Sequence, residues 1–382
     1  MTQQFENSDM PVSHAVPWRD AWQAALYGRD GFYRRDEGPG GHFATSAQGI
    51  PGVDEVLAQA IVAMAERIDA DVVVDFACGR GELLATISRF VDDVDLVGVD
   101  VVERPPELSS RIAWVRSAGG ASIPSLDVIA GRRAFVVAHE WLDVVPCDIA
   151  EADDDGVLRE VLVTLDGDET LGAPLPPDAA RWAARHAPTA MPVHVGDLRP
   201  HSSAAQPTID APDDPPPHPV PDDALPPADG RDNATRREPG ERVEIGMTRD
   251  AAWAALVAEV TRHAAAGSVV VGIDYASTSG TRPPFGTLTG FRDGSECAPV
   301  PDGSCDVTAH VALDSLDADD VRTQRDVLLE LFGELALEPV PLALASSDPP
   351  VYLARLAARS ALATATHPGG LGAFAWFTRT IG

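Results

Sequence analysis

Val72-Val73-Val74-Asp75-Phe76-Ala77-Cys78-Gly79-Arg80-Gly81-Glu82 is the stretch of this chain best suited to hold a small molecule. An apolar run ends on an acid, and a G-x-G turn then opens onto ELLATISRF (82–90), which has helical spacing. Glycine lets the backbone approach a ligand closely, and a helix N-terminus favours negative charge. A dinucleotide fingerprint asks for G-x-G-x-x-G, but Leu84 stands where the third Gly would be. An acid ahead of the turn can instead face an ammonium group, with no pyrophosphate to cradle, which is the pattern of S-adenosylmethionine (SAM) sites. DLVGVD (95–100) is a second strand ending on Asp100, whose carboxylate can accept both ribose hydroxyls, a feature NAD sites share. Asp75 makes a SAM site the best reading. A nicotinamide site and a ligand-free strand–helix turn remain as alternatives.

A second group follows AFVVAHE (134–140), a buried strand: Glu140 and Asp143 stand three residues apart just past its end. If an acceptor is a guanidinium, two carboxylates on one short turn are the expected clamp for it. The same two acids also suit a helix N-terminus with no substrate. His139 before them is either a general base or a structural hydrogen-bonding residue, and His310 reads as structural. Asp274-Tyr275 closes the buried strand SVVVGIDYA (268–276), on the edge where open sheets bind ligands. Phe43, Thr45 and Ser46 lie in a Gly- and Pro-punctuated loop that could fold over a cofactor, with Thr45 touching it. Cys78 reads as packing in the cofactor loop and Trp253 as core.

These residues need a scaffold. Strand, helix, strand recurs through 72–76, 95–100, 112–115 and 134–140, which predicts a parallel sheet with helices on its faces. Val53, Leu57, Ile61, Met64 and Ile68 mark an amphipathic helix before the first strand, and Trp18, Trp22 and Tyr27 share one helical face. VLREVLVTL (157–165) reads as a strand of a flanking hairpin. Residues 200–240 hold 11 of the 33 prolines and seven aspartates with no aromatic side chain, a composition that predicts an exposed linker. Thr248 is an expected N-cap for the next helix, with Gly267 at its stop. GTLTGF (286–291) leads to a turn at Asp293-Gly294, VTAHVAL (307–313) alternates as a strand, and helices are expected over 319–332 and 349–365. GAFAWFTRTI (372–381) closes the sheet as its last strand.

The 382 residues carry 29 basic and 59 acidic side chains, a net charge of −30, which speaks against nucleic acid and against anionic membrane surfaces. No lysine occurs in the chain, so Schiff-base, Walker A and kinase strand-lysine chemistries are excluded. The four cysteines (78, 147, 297 and 305) form no C-x-x-C, so neither a disulfide framework nor a metal site is expected, and reduced thiols suit a cytoplasmic protein. The polar start MTQQFENSDM has no apolar signal core, and no run of 18 apolar residues suggests a membrane span.

Four pieces in order carry a family resemblance: GPGGHFATS (38–46); His139-Glu140-Trp141-Leu142-Asp143-Val144-Val145-Pro146; Gly272-Ile273-Asp274-Tyr275 before Gly286-Thr287-Leu288; and Asp302-Gly303 before Asp306-Val307-Thr308-Ala309-His310-Val311. Together with the cofactor loop, from about residue 31 to the C-terminus, the chain resembles the MidA-like SAM-dependent methyltransferases. Their mitochondrial relatives are arginine methyltransferases that help assemble respiratory complex I. The resemblance implies an α/β class I methyltransferase fold, a Rossmann-like, mostly parallel seven-stranded sheet with an antiparallel last strand and an inserted smaller α/β region. It implies SAM as cofactor, held by Asp75, Ala77, Gly79, Gly81, Asp100 and Thr45. It places Glu140, Asp143 and His139 at the methyl-transfer pocket, and makes a protein arginine, on a respiratory complex subunit, the acceptor. The implied layout is an N-terminal cap (1–50), a SAM-binding part (51–195), the acidic linker (196–246) and a C-terminal part (247–382). Two departures stand out: Ala77-Cys78 where the family often has Pro-Gly, and His139 where it often has Asn. A non-catalytic scaffold on this fold and an NAD(P)-dependent oxidoreductase are the rival readings.

Overall fold

The computed structural model describes residues 14–35, 50–188 and 237–382, with the side chains of 334–337 excepted. Seven strands form the main sheet: β1 Val72–Phe76, β2 Asp95–Asp100, β3 Ile112–Arg116, β4 Ala134–His139, β5 Val269–Asp274, β6 Asp320–Thr323 and β7 Ala375–Thr380. Their order across the sheet is β6-β7-β5-β4-β1-β2-β3. β1 to β5 run parallel, while β7 pairs antiparallel with both β5 and β6. The chain therefore has the seven-stranded, mostly parallel α/β sheet with an antiparallel last strand. All five residues of β1 are buried, as expected of a strand covered on both faces.

Helices α1 Trp18–Tyr27, α2 Val53–Arg67, α3 Glu82–Ile87, α4 Pro177–His186, α5 Met247–His263, α6 Gln324–Leu337, α7 Ala343–Ser347 and α8 Pro349–Ala365 complete the frame. Alternation along the strands builds two cores. Val73, Phe135, Val137 and Ile273 face Leu57 and Ile61 of α2, Leu84 of α3, Leu328 of α6 and Leu362 of α8. Val72, Val74, Val136 and Val270 face Trp253, Leu256 and Val260 of α5. Trp253 is core, its ring edge-on to Phe377 at 4.9 Å. Gly272 has a steric reason to be glycine, since a Cβ there would lie 2.1 Å from the Phe377 ring.

The chain between β4 and α5 builds a second, antiparallel sheet. Its strands are Asp148–Ala152, Leu158–Val163, Glu169–Pro174 and Arg242–Ile245, joined by Val16–Pro17 from the N-terminus. A three-stranded sheet of Thr289–Arg292, Ser295–Cys297 and Asp306–Thr308 follows β5, turning at Asp293-Gly294. Trp18, Trp22, Leu26 and Tyr27 of α1 cement both small sheets, packing with Val144, Ile149, Val161 and Val307. Both insertions leave the main sheet at the C-terminal tips of β4 and β5.

Several local expectations are corrected. Residues 237–246 of the stretch read as linker are described, and Arg242–Ile245 is a strand paired with Asp148–Ala152. Apolar Val243 and Ile245 are buried there, so the ordered chain resumes before the boundary drawn from composition. Residues 189–236 lie outside the described residues. Thr248 is not the cap of α5: Gly246 precedes the helix, and Thr248 Oγ1 donates to the Pro146 carbonyl at 2.6 Å. Gly267 is not the helix stop but a left-handed turn (φ +83°) leading into β5. Residues 320–323 form β6 rather than helix, because pairing with β7 overrides their weak local preference. VTAHVAL breaks into two short strands at Ala309-His310, and His310 lies between them. Among the described residues no helix is long and apolar enough to cross a membrane, and no cluster of His, Cys, Asp or Glu suits a metal ion.

Candidate active site

The turn after β1 brings the first group together. Ala77, Gly79 and Gly81 all have left-handed backbones, with φ of 61°, 59° and 84°. Ala77 and Cys78 both donate backbone N–H to the Val99 carbonyl, at 2.8 and 3.2 Å, which bends the loop over the tip of β2. The Gly79 N–H then donates to Asp100 Oδ2 at 2.8 Å, and the Val102 N–H donates to Oδ1 at 3.1 Å. Asp100 is 8% exposed and retains lone pairs for further donors. Burial pushes its carboxyl up to about 6, against the pull of those backbone donors.

Asp75 is 2% exposed, and its carboxylate accepts no hydrogen bond among the described residues. Burial, with Asp100 and Glu82 close by, pushes its pKa well above the carboxylate range. An unpaired buried carboxyl is costly, and a cation is the partner that would satisfy it. The space beside Gly79 is open, since a Cβ built there would meet only Glu82 Oε2, at 3.5 Å. The loop thus fits a ligand with an ammonium for Asp75 and hydroxyls for Asp100. Cys78 is buried packing, with its thiol pushed up by burial.

The second group forms at the tips of β4 and β5, which lie side by side with Ile273 opposite His139. The Glu140 N–H donates to the Ile273 carbonyl at 2.8 Å, extending the parallel ladder by one rung. Glu140 then turns into a left-handed conformation (φ 50°). A non-glycine residue in that region costs roughly 1–2 kcal/mol, and such strain gathers at functional sites. Here it occurs after β1, at Ala77, and again after β4. Glu140 is half-buried, and His139 Nε2 lies 3.3 Å from its Oε1. The His139 ring stacks against Phe374 at 6.3 Å, and burial lowers its pKa to about 4. His139 is therefore neutral at ordinary pH.

Asp143 and Asp274 are the deepest acids of this second group, 4% and 1% exposed. Asp274 Oδ2 accepts the backbone N–H groups of Leu142 (2.8 Å) and Asp143 (3.2 Å), so it shapes the turn that carries Asp143. Asp143 Oδ2 accepts from Thr308 Oγ1 at 2.7 Å. The remaining oxygens, Asp143 Oδ1 and Asp274 Oδ1, are buried with no hydrogen-bond partner. Burial, then Glu140, pushes Asp143 up to about 6; burial, then Asp143, raises Asp274 well above its usual range.

Local sequence reading missed four contributors. Asp306 accepts from the Tyr33 hydroxyl at 2.8 Å and is pushed up to about 8, chiefly by burial. Thr308, like Asp306, belongs to a segment the resemblance had singled out without giving it a role. Tyr27 and Arg249 had no local signal. Tyr27 reaches the site because Gly119 in the loop after β3 has no Cβ, which would otherwise lie 2.3 Å from its ring. Arg249, 1% exposed, donates to the carbonyls of Asp143, Val145, Ala309 and His310, at 2.6 to 3.0 Å. It fastens α5 to both acid-bearing turns.

The structure thus brings Asp75, Ala77, Gly79, Gly81 and Asp100 to one pair of strand tips, and His139, Glu140, Asp143 and Asp274 to the adjacent pair. Tyr275 lines the second group, and His310 stacks on it at 6.2 Å. Phe43, Thr45 and Ser46 lie outside the described residues.

Comparison with known proteins bears on this arrangement. A family model described as "Putative S-adenosyl-L-methionine-dependent methyltransferase" matches residues 56–327. Among solved structures, the chain is similar to a Burkholderia thailandensis protein crystallised with S-adenosyl-homocysteine. The two are 19% identical, the alignment covers 96% of this chain and 89% of that one, and the TM-score is 0.62. A second, native crystal structure of an uncharacterized protein from the same organism is 20% identical, with 96% and 88% coverage and a TM-score of 0.60. No curated protein matches the chain.

Proposed function

Because the chain belongs to this family of S-adenosyl-L-methionine-dependent methyltransferases, we propose that it methylates an arginine side chain of a protein. The observation that carries the acceptor is the pair of buried oxygens, Asp143 Oδ1 and Asp274 Oδ1, left without donors beside Glu140. A buried acceptor without a donor costs about 1–3 kcal/mol. A guanidinium presents five N–H donors in one plane and suits several carboxylates at once. The resemblance to MidA-like enzymes agrees with this, and suggests a respiratory complex subunit as the protein partner.

SAM, when bound, supplies a methyl group activated on a sulfonium. In this reading Asp75 pairs with its ammonium, Asp100 receives its ribose hydroxyls, and the backbone at Ala77, Gly79 and Gly81 lets it approach. Glu140 and Asp143 hold the acceptor guanidinium in line, and orientation of this kind supplies several kcal/mol of catalysis, about 7 or more in favourable cases. Asp143, with its raised proton affinity, receives the proton that the acceptor nitrogen gives up. His139, neutral and packed on Phe374, keeps the Glu140 side chain in place rather than acting as base.

The test is transfer from methyl-labelled SAM to proteins of the native lysate, with the modified residue identified by mass spectrometry. Label is expected on arginine. Glu140→Gln is expected to abolish labelling while SAM affinity, by calorimetry, stays within about twofold. Asp75→Asn is expected to weaken SAM binding at least tenfold, the worth of about 1.5–3 kcal/mol for a hydrogen bond to a charged group. Label on another residue type alone overturns the arginine assignment. Equal loss of SAM binding in Glu140→Gln places Glu140 in the cofactor site instead.

A further inference from the structure

Beyond its acids, the pocket edge carries an aromatic surface. Ile273 and Asp274 are buried at 0% and 1%, yet the next residue, Tyr275, is 42% exposed. Its ring packs against two others. Phe374, itself 1% exposed, packs against it at 4.1 Å with a 43° tilt, and the His310 ring stacks on it at 6.2 Å and 14°. The Tyr275 hydroxyl makes no hydrogen bond among the described residues, so no local polar contact accounts for the ring's position. Burial, then the charge of Glu140, pushes the hydroxyl well above the usual tyrosine range, so the ring stays neutral. A partly exposed aromatic ring beside carboxylates is an environment for a cation, because the ring's negative face and the acids attract it together.

We propose that Tyr275 is the stacking face for the acceptor guanidinium, and so the residue that selects a planar cation over a tetrahedral ammonium. The inference rests on the arginine reading above and adds the source of its selectivity. A guanidinium lying flat on the ring keeps its in-plane N–H groups free for Glu140 and Asp143. An ammonium meets the same ring as a point charge and cannot satisfy both acids from that position.

The test is binding of ethylguanidinium and of butylammonium, titrated separately into the protein saturated with S-adenosylhomocysteine and followed by NMR. The wild type is expected to bind ethylguanidinium more tightly than butylammonium. Tyr275→Phe keeps that affinity within about twofold. Tyr275→Ala loses about tenfold toward ethylguanidinium and much less toward butylammonium, so the preference shrinks, consistent with cation–π worth of about 1–2 kcal/mol. The melting temperature and S-adenosylhomocysteine affinity of both variants stay at wild-type values, as an exposed side chain outside the cofactor loop requires. Equal ethylguanidinium affinity in wild type and Tyr275→Ala overturns the role of Tyr275 and leaves the arginine reading standing. No ethylguanidinium binding to the wild type overturns both.

Discussion

Replacing Arg249 with Met removes the fastening of the acid-bearing turns while keeping a side chain of similar length. Arg249 Nε donates to Val145 O at 2.9 Å, Nη1 to Ala309 O and His310 O at 2.9 and 3.0 Å, and Nη2 to Asp143 O at 2.6 Å. Its guanidinium also lies 5.4 Å over the Trp22 ring. The four carbonyls remain when the guanidinium is gone. If small shifts or water satisfy half of them, two stay orphaned at about 1–3 kcal/mol each, a loss of about 4 kcal/mol. Against a typical total of about 5–15 kcal/mol the variant still folds, but with a much lower urea midpoint. The loss of positive charge also raises the proton affinity of Asp143 and Asp274, both of which Arg249 now lowers. The pH profile of methyl transfer should shift upward with it. Arg249→Lys retains the charge but cannot span three segments, and should recover the profile more than the stability. Urea unfolding of Arg249→Met within about 1 kcal/mol of wild type would refute the reasoning, since it would mean the four carbonyls do not depend on this donor.

Other outcomes follow from the same site. Asp306, raised to about 8, holds its proton more tightly in the folded state than in the unfolded one, so its contribution to stability is full at low pH and is lost as pH rises toward 8. His139, lowered to about 4, works in the opposite sense between about 4 and 6.5 and no longer contributes above that window. The ligand-free protein should therefore lose stability between pH 6.5 and 8.5 in chemical denaturation, by up to about 1.4 kcal/mol per pH unit for each fully retained proton. Asp306→Asn should flatten that slope, and an unchanged slope would count against a protonated Asp306. Gly272→Ala should cost about 1–3 kcal/mol in thermal or urea unfolding, because its Cβ would lie 2.1 Å from the Phe377 ring and force strand β7 aside; wild-type stability would show that the ring has room to move.

How much of this was legible in the residues depends on how local the signal is. The turn from Asp75 to Glu82 is a neighbourhood of the chain, and its acid, its glycines and the second strand's closing Asp100 stand where a strand–turn–helix unit puts them. The helix over 349–365 was likewise readable from its own spacing. Asp320–Thr323 was not, because four largely exposed, polar-flanked residues become a strand only when β7 offers an edge to pair with. Arg242–Ile245 was hidden for a related reason: the acidic, proline-rich composition before it masked two apolar residues that the Asp148–Ala152 strand buries.

The acids show the same division. The sequence by itself determined that Glu140 and Asp143 follow a buried strand and that Asp274 ends another. Only the tertiary structure decided that these strands are neighbours, that Asp274 caps the turn carrying Asp143, and that Thr308, Tyr33 and Arg249 arrive from remote segments. Periodicity and turn chemistry act between residues close in the chain and leave a trace in it. Convergence of buried charge is set by sheet order and by the exclusion of water, and those depend on every segment at once.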